Sequence, residues 1–210
     1  GYTFLLASDS VDLSAGYMMC MIGIISGLLS QTGMPFICIL ILCAVIAVIC
    51  SSFNAVIENK FNLPPFLVTL AMQQVFRGVL MLLSNGSPIS NLNEGIIYMG
   101  QGYIGPIPFS VLLMLVFIVI GHIIFSRTQF GRNVIAVGGN PEAARVSGID
   151  VNKTRVYVSA LLGFTIAIMA LVSCGRIASA QTTLGGDTVM DIIAAVVIGG
   201  TPMGGGSGTV

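Results

Sequence analysis

The sequence is short of charged residues. Only 8% of its 210 residues are Asp, Glu, Lys or Arg, whereas an ordinary soluble domain has about 25%. Eight basic and eight acidic side chains cannot form the water-facing shell that a soluble fold of this length needs. Because the net charge is zero, the composition indicates no nucleic-acid partner and no purely electrostatic partner. The scarcity of charge excludes an ordinary soluble domain.

Several patterns that indicate chemistry are also missing. The Gly-rich tail at residues 199–208 contains no lysine, so it does not match the phosphate-binding loop of nucleotide-binding proteins. The five cysteines lie within apolar runs, at spacings that fit neither a zinc site nor a disulfide framework. No cluster with metal-ligand spacing and no nucleophile–base pair is evident. We therefore expect this chain to hold no cofactor or metal and to perform no bond-making chemistry.

In place of these patterns the chain has long apolar runs. Residues 13–57 contain no charged side chain, and between residues 95 and 126 only His122 and tyrosines are titratable. A membrane-spanning helix needs about 20 mostly apolar residues. We predict spans at 14–32, 35–57, 63–84, 107–126 and 155–176, with a further apolar segment at 188–200. The fold class is thus an all-α polytopic transmembrane bundle of five to six spans, forming one domain over residues 1–210.

The basic residues predict the orientation of the bundle. Residues 127–155 contain five of the eight basic side chains, whereas residues 85–108 contain none and carry Glu94. By the positive-inside rule, segment 127–155 is a cytoplasmic loop and segment 85–108 lies outside. Lys60 then falls on the cytoplasmic side and Arg176 near the outer end of its helix, so the predicted spans alternate consistently.

The cytoplasmic loop encodes a short capped helix. Asn140 can cap the free N–H groups, Pro141 fits the first helical position, and Gly148 can adopt the left-handed conformation that ends a helix. Glu142 and Arg145 match the helix dipole. Two-turn helices are marginal in isolation, so this helix either docks on a partner or merely packs under the bundle.

Polar residues within or between the apolar runs are the candidate site. Asp9 and Asp12 lie either in a broken helix along a water-filled path or in a loop at the membrane surface. Arg77, near the middle of its span with Gln73 and Gln74 one turn away, either faces the interior or extends outward to the interface. His122 is better explained as an interfacial residue than as a proton relay.

The same residues carry a family resemblance. The chain resembles the ribose-type sugar permeases of bacterial ABC importers, the branched group that also imports xylose, galactose and autoinducer-2. The resemblance rests on six motifs in order: Val11-Asp-Leu-Ser-Ala-Gly16, Pro65-Phe-Leu-Val-Thr-Leu70 with Arg77-Gly78, Gly131-Arg132, Gly138-Gly-Asn-Pro-Glu-Ala-Ala-Arg-Val-Ser-Gly148, Asp191-Ile-Ile-Ala-Ala-Val-Val-Ile-Gly-Gly-Thr201 and Gly204-Gly-Gly-Ser-Gly208.

The resemblance implies a multi-pass permease subunit in the bacterial cytoplasmic (inner) membrane that translocates a pentose- or hexose-like sugar. Its expected partners are a second permease copy, cytoplasmic ATPase subunits that bind ATP-Mg, an extracytoplasmic sugar-binding protein and the lipid bilayer. The ATPase-coupling residues would be Asn140, Pro141, Glu142, Ala143, Ala144, Arg145 and Gly148. The expected translocation-path residues are Asp12, Ser14, Thr69, Gln73 and Arg77.

Family members have more helices than this chain can hold, and the chain starts and stops within apparent structural elements. We therefore expect it to be truncated at both ends.

The alternative function is an ion-coupled secondary transporter of a small polar solute. Proteins of that class usually pair ionisable residues within their spans.

Overall fold

The computed structural model describes residues 1–186 and 188–208 as a helix bundle with two small strand pairs. The helices are α1 (Tyr2–Ala7), α2 (Ala15–Gln31), α3 (Phe36–Phe61), α4 (Pro65–Ser84), α5 (Glu94–Gln101), α6 (Phe109–Arg127), α7 (Gln129–Gly139), α8 (Pro141–Val146), α9 (Val151–Ile177) and α10 (Thr188–Ile198). The strands are β1 (Ile89–Ser90), β2 (Tyr103–Ile104), β3 (Ile107–Pro108) and β4 (Ser179–Ala180); β1 pairs antiparallel with β4, and β2 with β3. The all-α prediction is confirmed.

Four helices in the described part of the chain are long and apolar enough to cross a membrane, namely α3, α4, α6 and α9, while α2 and α10 are apolar but shorter. The span predicted to begin at residue 155 begins at Val151. Asp150 caps it, because its side chain accepts a hydrogen bond from the Lys153 amide at 3.0 Å. That bond lowers the pKa of the Asp150 carboxyl.

Helix α9 lies at the centre of the bundle and packs against α2, α3 and α5. Its pairing with α3 is the most extensive in the molecule. The two backbones meet at Gly163, where a Cβ atom would lie 2.9 Å from the Val48 Cα. Small residues permit this close approach, which is how helices associate in lipid.

The outer surface of the bundle is apolar. Phe125 is the one fully buried residue among those of α6, and elsewhere Ile37 is 65% and Leu82 81% exposed. A soluble protein rarely leaves so much contiguous apolar surface in water, whereas hydrocarbon solvates it without cost. The chain is a membrane protein.

The helix ends lie on two sides, as the distribution of basic residues predicts. On one side, the Asn59 amide donates to the Asn152 carbonyl at 3.1 Å and joins the end of α3 to the start of α9. On the other, the Gln101 amide donates to the Arg176 carbonyl at 3.2 Å, and β1 pairs with β4. Lys60 therefore lies on the same side as segment 127–155, and Arg176 lies with segment 85–108.

Both long connections contain more structure than the sequence predicts. Segment 85–108, expected as a loop, holds β1, α5, β2 and β3, because Ile96 packs into the core and Gly100 lies directly on the backbone at Arg176. Segment 127–155 contains α7 ahead of the predicted helix, capped by Thr128, which accepts from the Gly131 amide at 3.2 Å.

Candidate functional site

The first break in the helical structure lies between α1 and α2. Asp12 is only 4% exposed there. One of its carboxylate oxygens accepts from the Ser14 amide at 2.8 Å and from the Ser14 hydroxyl at 2.5 Å. Asp9, by contrast, is exposed and has a φ of 57°. Asp12 is thus buried within the break, whereas Asp9 is exposed beside it; the depth of the pair in the membrane stays a prediction.

One face of α3 adds polar groups to this break. Ser51, Asn54 and Glu58 recur at three- and four-residue spacing and are 0%, 2% and 7% exposed. The Asn54 amide donates to the Ser14 hydroxyl at 3.0 Å. The Ser51 Oγ and Asn54 Oδ1 atoms have no hydrogen-bond partner among the described residues. Leaving such atoms unpaired costs about 1–3 kcal/mol each, so water or a hydroxyl group would be bound favourably here.

Helix α4 reaches the same break through Thr69. This side chain is 1% exposed. Its hydroxyl donates to the Pro65 carbonyl at 2.9 Å and lies 3.5 Å from the Val11 carbonyl. The structure thus brings together three of the five predicted path residues, Asp12, Ser14 and Thr69.

Gln73 and Arg77 lie apart from that cluster. Gln73 is half-buried, whereas Arg77 is exposed on the surface of the chain, and its guanidinium carbon stands 5.6 Å from the centre of the Tyr17 ring. In the single chain α4 turns this side chain outward along α2, away from that cluster. A cation–π contact with Tyr17 stabilises it there. The place of Arg77 on the translocation path stays a prediction.

A second break, which the sequence analysis missed, lies between β4 and α10. Residues 181–186 run beside α2 as non-helical backbone. The Gly185 amide donates to the Cys20 sulfur at 3.0 Å. A Cβ atom on Gly16 or Gly185 would overlap the other residue's carbonyl oxygen. At membrane depth, non-helical backbone occurs only where protein buries it or where it lines a cavity.

A cavity does lie along this second break. It measures about 470 Å³ and is lined by Met19, Met169, Ser173, Arg176, Ile177, Leu184 and Thr188. An adjoining cavity of about 270 Å³ shares Met19, Met169 and Thr188 with it and reaches Gly16 and Tyr2. The Tyr2 hydroxyl donates to the Asp12 carbonyl at 2.7 Å. The linings of the two cavities therefore extend from Arg176, near the end of α9, to Tyr2, which is bonded to the Asp12 carbonyl.

The helix predicted within segment 127–155 is present as α8. The Asn140 side chain accepts from the Ala143 amide at 3.0 Å, Pro141 is the first helical residue, and Gly148 has a φ of 83°. An ion pair of 2.7 Å joins Arg145 to Glu142. The sequence-based caps are confirmed.

Helix α8 has an inner and an outer face. Ala144 is buried and packs with Val137 of α7 and Val151 of α9. Val146 is 91% exposed, and Glu142 and Arg145 are exposed beside it. The helix is both packed under the bundle and presented outward, so the two alternatives drawn from the sequence are not exclusive.

In residues 1–186 and 188–208 no group of three or more His, Cys, Asp and Glu side chains could hold a metal ion. The site consists of two neighbouring cavities, a cluster of buried polar groups and a projecting helix. The polar groups can donate and accept hydrogen bonds.

Comparison with known proteins identifies the family. The family described as branched-chain amino acid transport system / permease component matches residues 1–210. The chain belongs to this permease family. The resemblance to permeases that was drawn from the sequence motifs is thereby confirmed.

Curated relatives resemble the permease chain over its whole length. The ribose import permease protein of Bacillus subtilis (strain 168) is 34% identical over 212 residues, which are 100% of this chain and 66% of the relative. The ribose import permease protein of Haemophilus influenzae is 33% identical, with 100% and 66% covered. The galactose/methyl galactoside import permease protein of Escherichia coli (strain K12) is 34% identical, with 100% and 68% covered. No solved structure matches the chain.

The permease residues that sequence reasoning missed share one property. They belong to the site only because elements that are distant in sequence pack together. They are Tyr17, Ser173, Thr188 and the contacting pair Gly16 and Gly185. One local signal was available, since Gln181-Thr-Thr-Leu-Gly-Gly186 is a polar, Gly-containing run between two apolar segments. Such a run marks a broken span.

Proposed function

We propose that this chain is the membrane-spanning permease subunit of an ATP-driven importer that moves a sugar into the cytoplasm. The observation that carries the proposal is its similarity, over the whole chain, to relatives named as ribose and galactose import permeases. The chain spans 66% of the length of the first of these, so the activity belongs to the longer protein. The proposed location is the bacterial cytoplasmic membrane.

The two helix breaks supply a route for a hydroxyl-rich solute. Sugar hydroxyls both donate and accept hydrogen bonds. The larger cavity, beside the second break, offers such partners from Ser173, Arg176 and Thr188. At the first break, the unpaired Ser51 and Asn54 oxygens are buried and would offer them once that break opens. Weak, replaceable contacts of this kind suit a solute that must leave again.

Helix α8 is the proposed site of coupling to an ATPase subunit. Its outward residues Glu142, Arg145 and Val146 would contact the partner, and ATP-Mg would bind in that partner. Through Ala144 a displacement of α8 reaches α7 and α9. Gly138 of α7 lies directly on the Ala7 carbonyl of α1, so the displacement continues to the break at Asp12. A second permease copy and an extracytoplasmic sugar-binding protein complete the proposed complex.

The ion-coupled alternative gains one observation from the structure. Asp12 and Glu58 are buried carboxyl groups at only 4% and 7% exposure, and intramembrane carboxyl groups serve as ion or proton sites in secondary transporters. The Asp12 carboxylate is, however, bonded to Ser14 within its own loop, as expected of a group that shapes a helix break. The import-permease function therefore remains the better supported of the two.

Co-purification of the full-length protein tests the proposal. Expressed from its native operon and isolated in mild detergent, it should bring down an ATPase subunit in stoichiometric amount. The ATPase activity of that complex should respond to a sugar-loaded binding protein. Isolation of the permease without any ATPase, combined with sugar uptake driven by an ion gradient, would favour the alternative.

A further inference from the structure

A cleft that the transport function does not use lies between the end of α3 and the start of α9. It measures about 420 Å³, and its walls include Val56, Lys60, Lys153, Val156 and Tyr157. Asn59 also lines it, and the hydrogen bond of 3.1 Å from Asn59 to the Asn152 carbonyl holds the two helix ends together. The cleft is thus preformed rather than a gap between independent helices.

The polarity of the cleft changes over about one helical turn. Lys60 is next to the last residue of α3, and Lys153 is the third residue of α9, so both ammonium groups lie at the level of the helix ends. Val56 and Tyr157, one turn further along their helices, are 46% and 61% exposed. Tyrosine is enriched at the membrane–water interface, where its ring meets the acyl region.

The charge of the cleft is positive. Both of its charged lining residues are lysines. The Lys153 ammonium contacts the Asp150 carboxylate at 3.1 Å, which holds it in place and offsets part of its charge. The Lys60 ammonium lies 5.9 Å from the centre of the Phe61 ring. Glu58, the nearest acid on α3, is buried on another face of the helix.

From this arrangement we infer that the cleft binds the phosphate of an anionic phospholipid from the cytoplasmic leaflet. The two ammonium groups at the helix ends complement the phosphate, and the Val56, Val156 and Tyr157 side chains complement the first methylenes of the acyl chains. Basic pockets between helices on the cytoplasmic side bind anionic headgroups in this way. A soluble anion would use the lysines but not the apolar wall, and a zwitterionic lipid would bring its own cation against them.

The test uses the full-length protein and native mass spectrometry of retained lipid. The protein is equilibrated with vesicles of equal parts phosphatidylglycerol and phosphatidylcholine and then released into mild detergent. The wild type should retain phosphatidylglycerol preferentially. Removing both charges with Lys60→Gln and Lys153→Gln should lower that preference by about thirtyfold. The matched control, Arg127→Gln with Arg132→Gln, removes two exposed charges from the same side outside the cleft and should retain it.

Two further measurements separate the lipid from other occupants. Inorganic phosphate at millimolar concentration should not displace phosphatidylglycerol, whereas Val56→Ser with Val156→Ser should weaken its retention. Displacement by phosphate together with no effect of the serine variant would assign the cleft to a soluble anion and overturn the inference. Loss of dimers without loss of lipid in the lysine variant would assign it to a second copy and overturn it likewise. Equal losses of phosphatidylglycerol in the lysine variant and in the arginine control would show that surface charge in general, and not the cleft, retains the lipid, and would overturn the inference.

Discussion

At the scale of single residues, Asp9 and Asp12 show how far environment separates two identical side chains three positions apart. The Asp12 carboxylate accepts hydrogen bonds from the Ser14 amide and hydroxyl inside the bundle, whereas the Asp9 side chain is exposed. The sequence offered surface and interior alternatives for both, because composition alone does not reveal how the chain turns between α1 and α2. Hydrogen bonding of the Asp12 type fixes the geometry of a helix break.

Substitution at the two aspartates tests that difference. Asp12→Ala leaves the buried Ser14 groups without their acceptor and should lower the free energy of unfolding by about 1–3 kcal/mol. Asp12→Asn keeps an acceptor oxygen and should retain most of both stability and sugar uptake. The control is Asp9→Asn, which suits the positive φ and should be neutral. Melting temperature in detergent and uptake by vesicles measure both effects; complete loss of uptake in a stable Asp12→Asn protein would instead indicate a proton or ion site.

At the scale of elements, hydropathy predicted the helices but not how they are rotated or what connects them. Spans were found because apolar character over about 20 residues is a local property. The sequence left both an inward and an outward position open for Arg77, because in a helix with apolar residues on most sides sequence alone does not fix the rotation. The strand pairs and α5 likewise depend on contacts such as Ile89 with Ala180, between residues far apart in the chain.

The caps of α8 were the most predictable part of the candidate site. Each cap is a contact within a few residues, such as the bond from the Ala143 amide to Asn140. The non-helical segment 181–186 was the least predictable part, since its position depends on the contact of Gly185 with Gly16. Contacts within a few residues, such as helix caps, can be predicted from one sequence. The contact of Gly185 with Gly16 joins segments far apart in the chain and can be found only from the three-dimensional structure.

The second break can be tested with two neighbouring glycines. Gly185→Ala places a methyl group on the Gly16 carbonyl, which forces α2 and the non-helical segment 181–186 apart at a cost of about 1–3 kcal/mol. We expect a lower melting temperature and at least a several-fold loss of uptake. Gly186→Ala is the matched control, because its new methyl group meets nothing closer than 3.9 Å. Equal behaviour of the two variants would contradict the close contact between Gly185 and Gly16.

The outward face of α8 can be altered without removing its ion pair. Exchanging the two charges by Glu142→Arg and Arg145→Glu preserves a pair at the same spacing, at a helix-dipole cost of about 0.3–1 kcal/mol per charge. The bundle should therefore stay folded while ATPase association and uptake fall at least tenfold. Val146→Asp, which changes the same face but leaves the pair intact, should have the same result. Normal ATPase association by both variants would remove α8 from the coupling interface.

At the scale of the whole molecule, the orientation in the membrane is predicted from the basic residues, and the contacts at the two ends of the bundle group the segments as that prediction requires. Ser147, beyond α8, and Ser90, in β1, are exposed at opposite ends. In a Cys38→Ser background, which removes an exposed thiol, Ser147→Cys should react with an impermeant maleimide only from the cytoplasm. Ser90→Cys should react only from outside. Labelling of both positions from one side would refute the orientation, the docking role of α8 and the leaflet assigned to the lysine cleft.

The most direct test of the central claim is sugar uptake by the full-length permease in proteoliposomes, reconstituted with its ATPase subunits and sugar-binding protein. Radiolabelled ribose and galactose are offered outside, with ATP-Mg enclosed inside. The account predicts that one of these sugars accumulates against its gradient, only when ATP and the binding protein are both present. Ionophores that collapse proton and sodium gradients should leave that uptake unchanged. Accumulation that persists without ATP and stops when the ion gradient is collapsed would contradict the account.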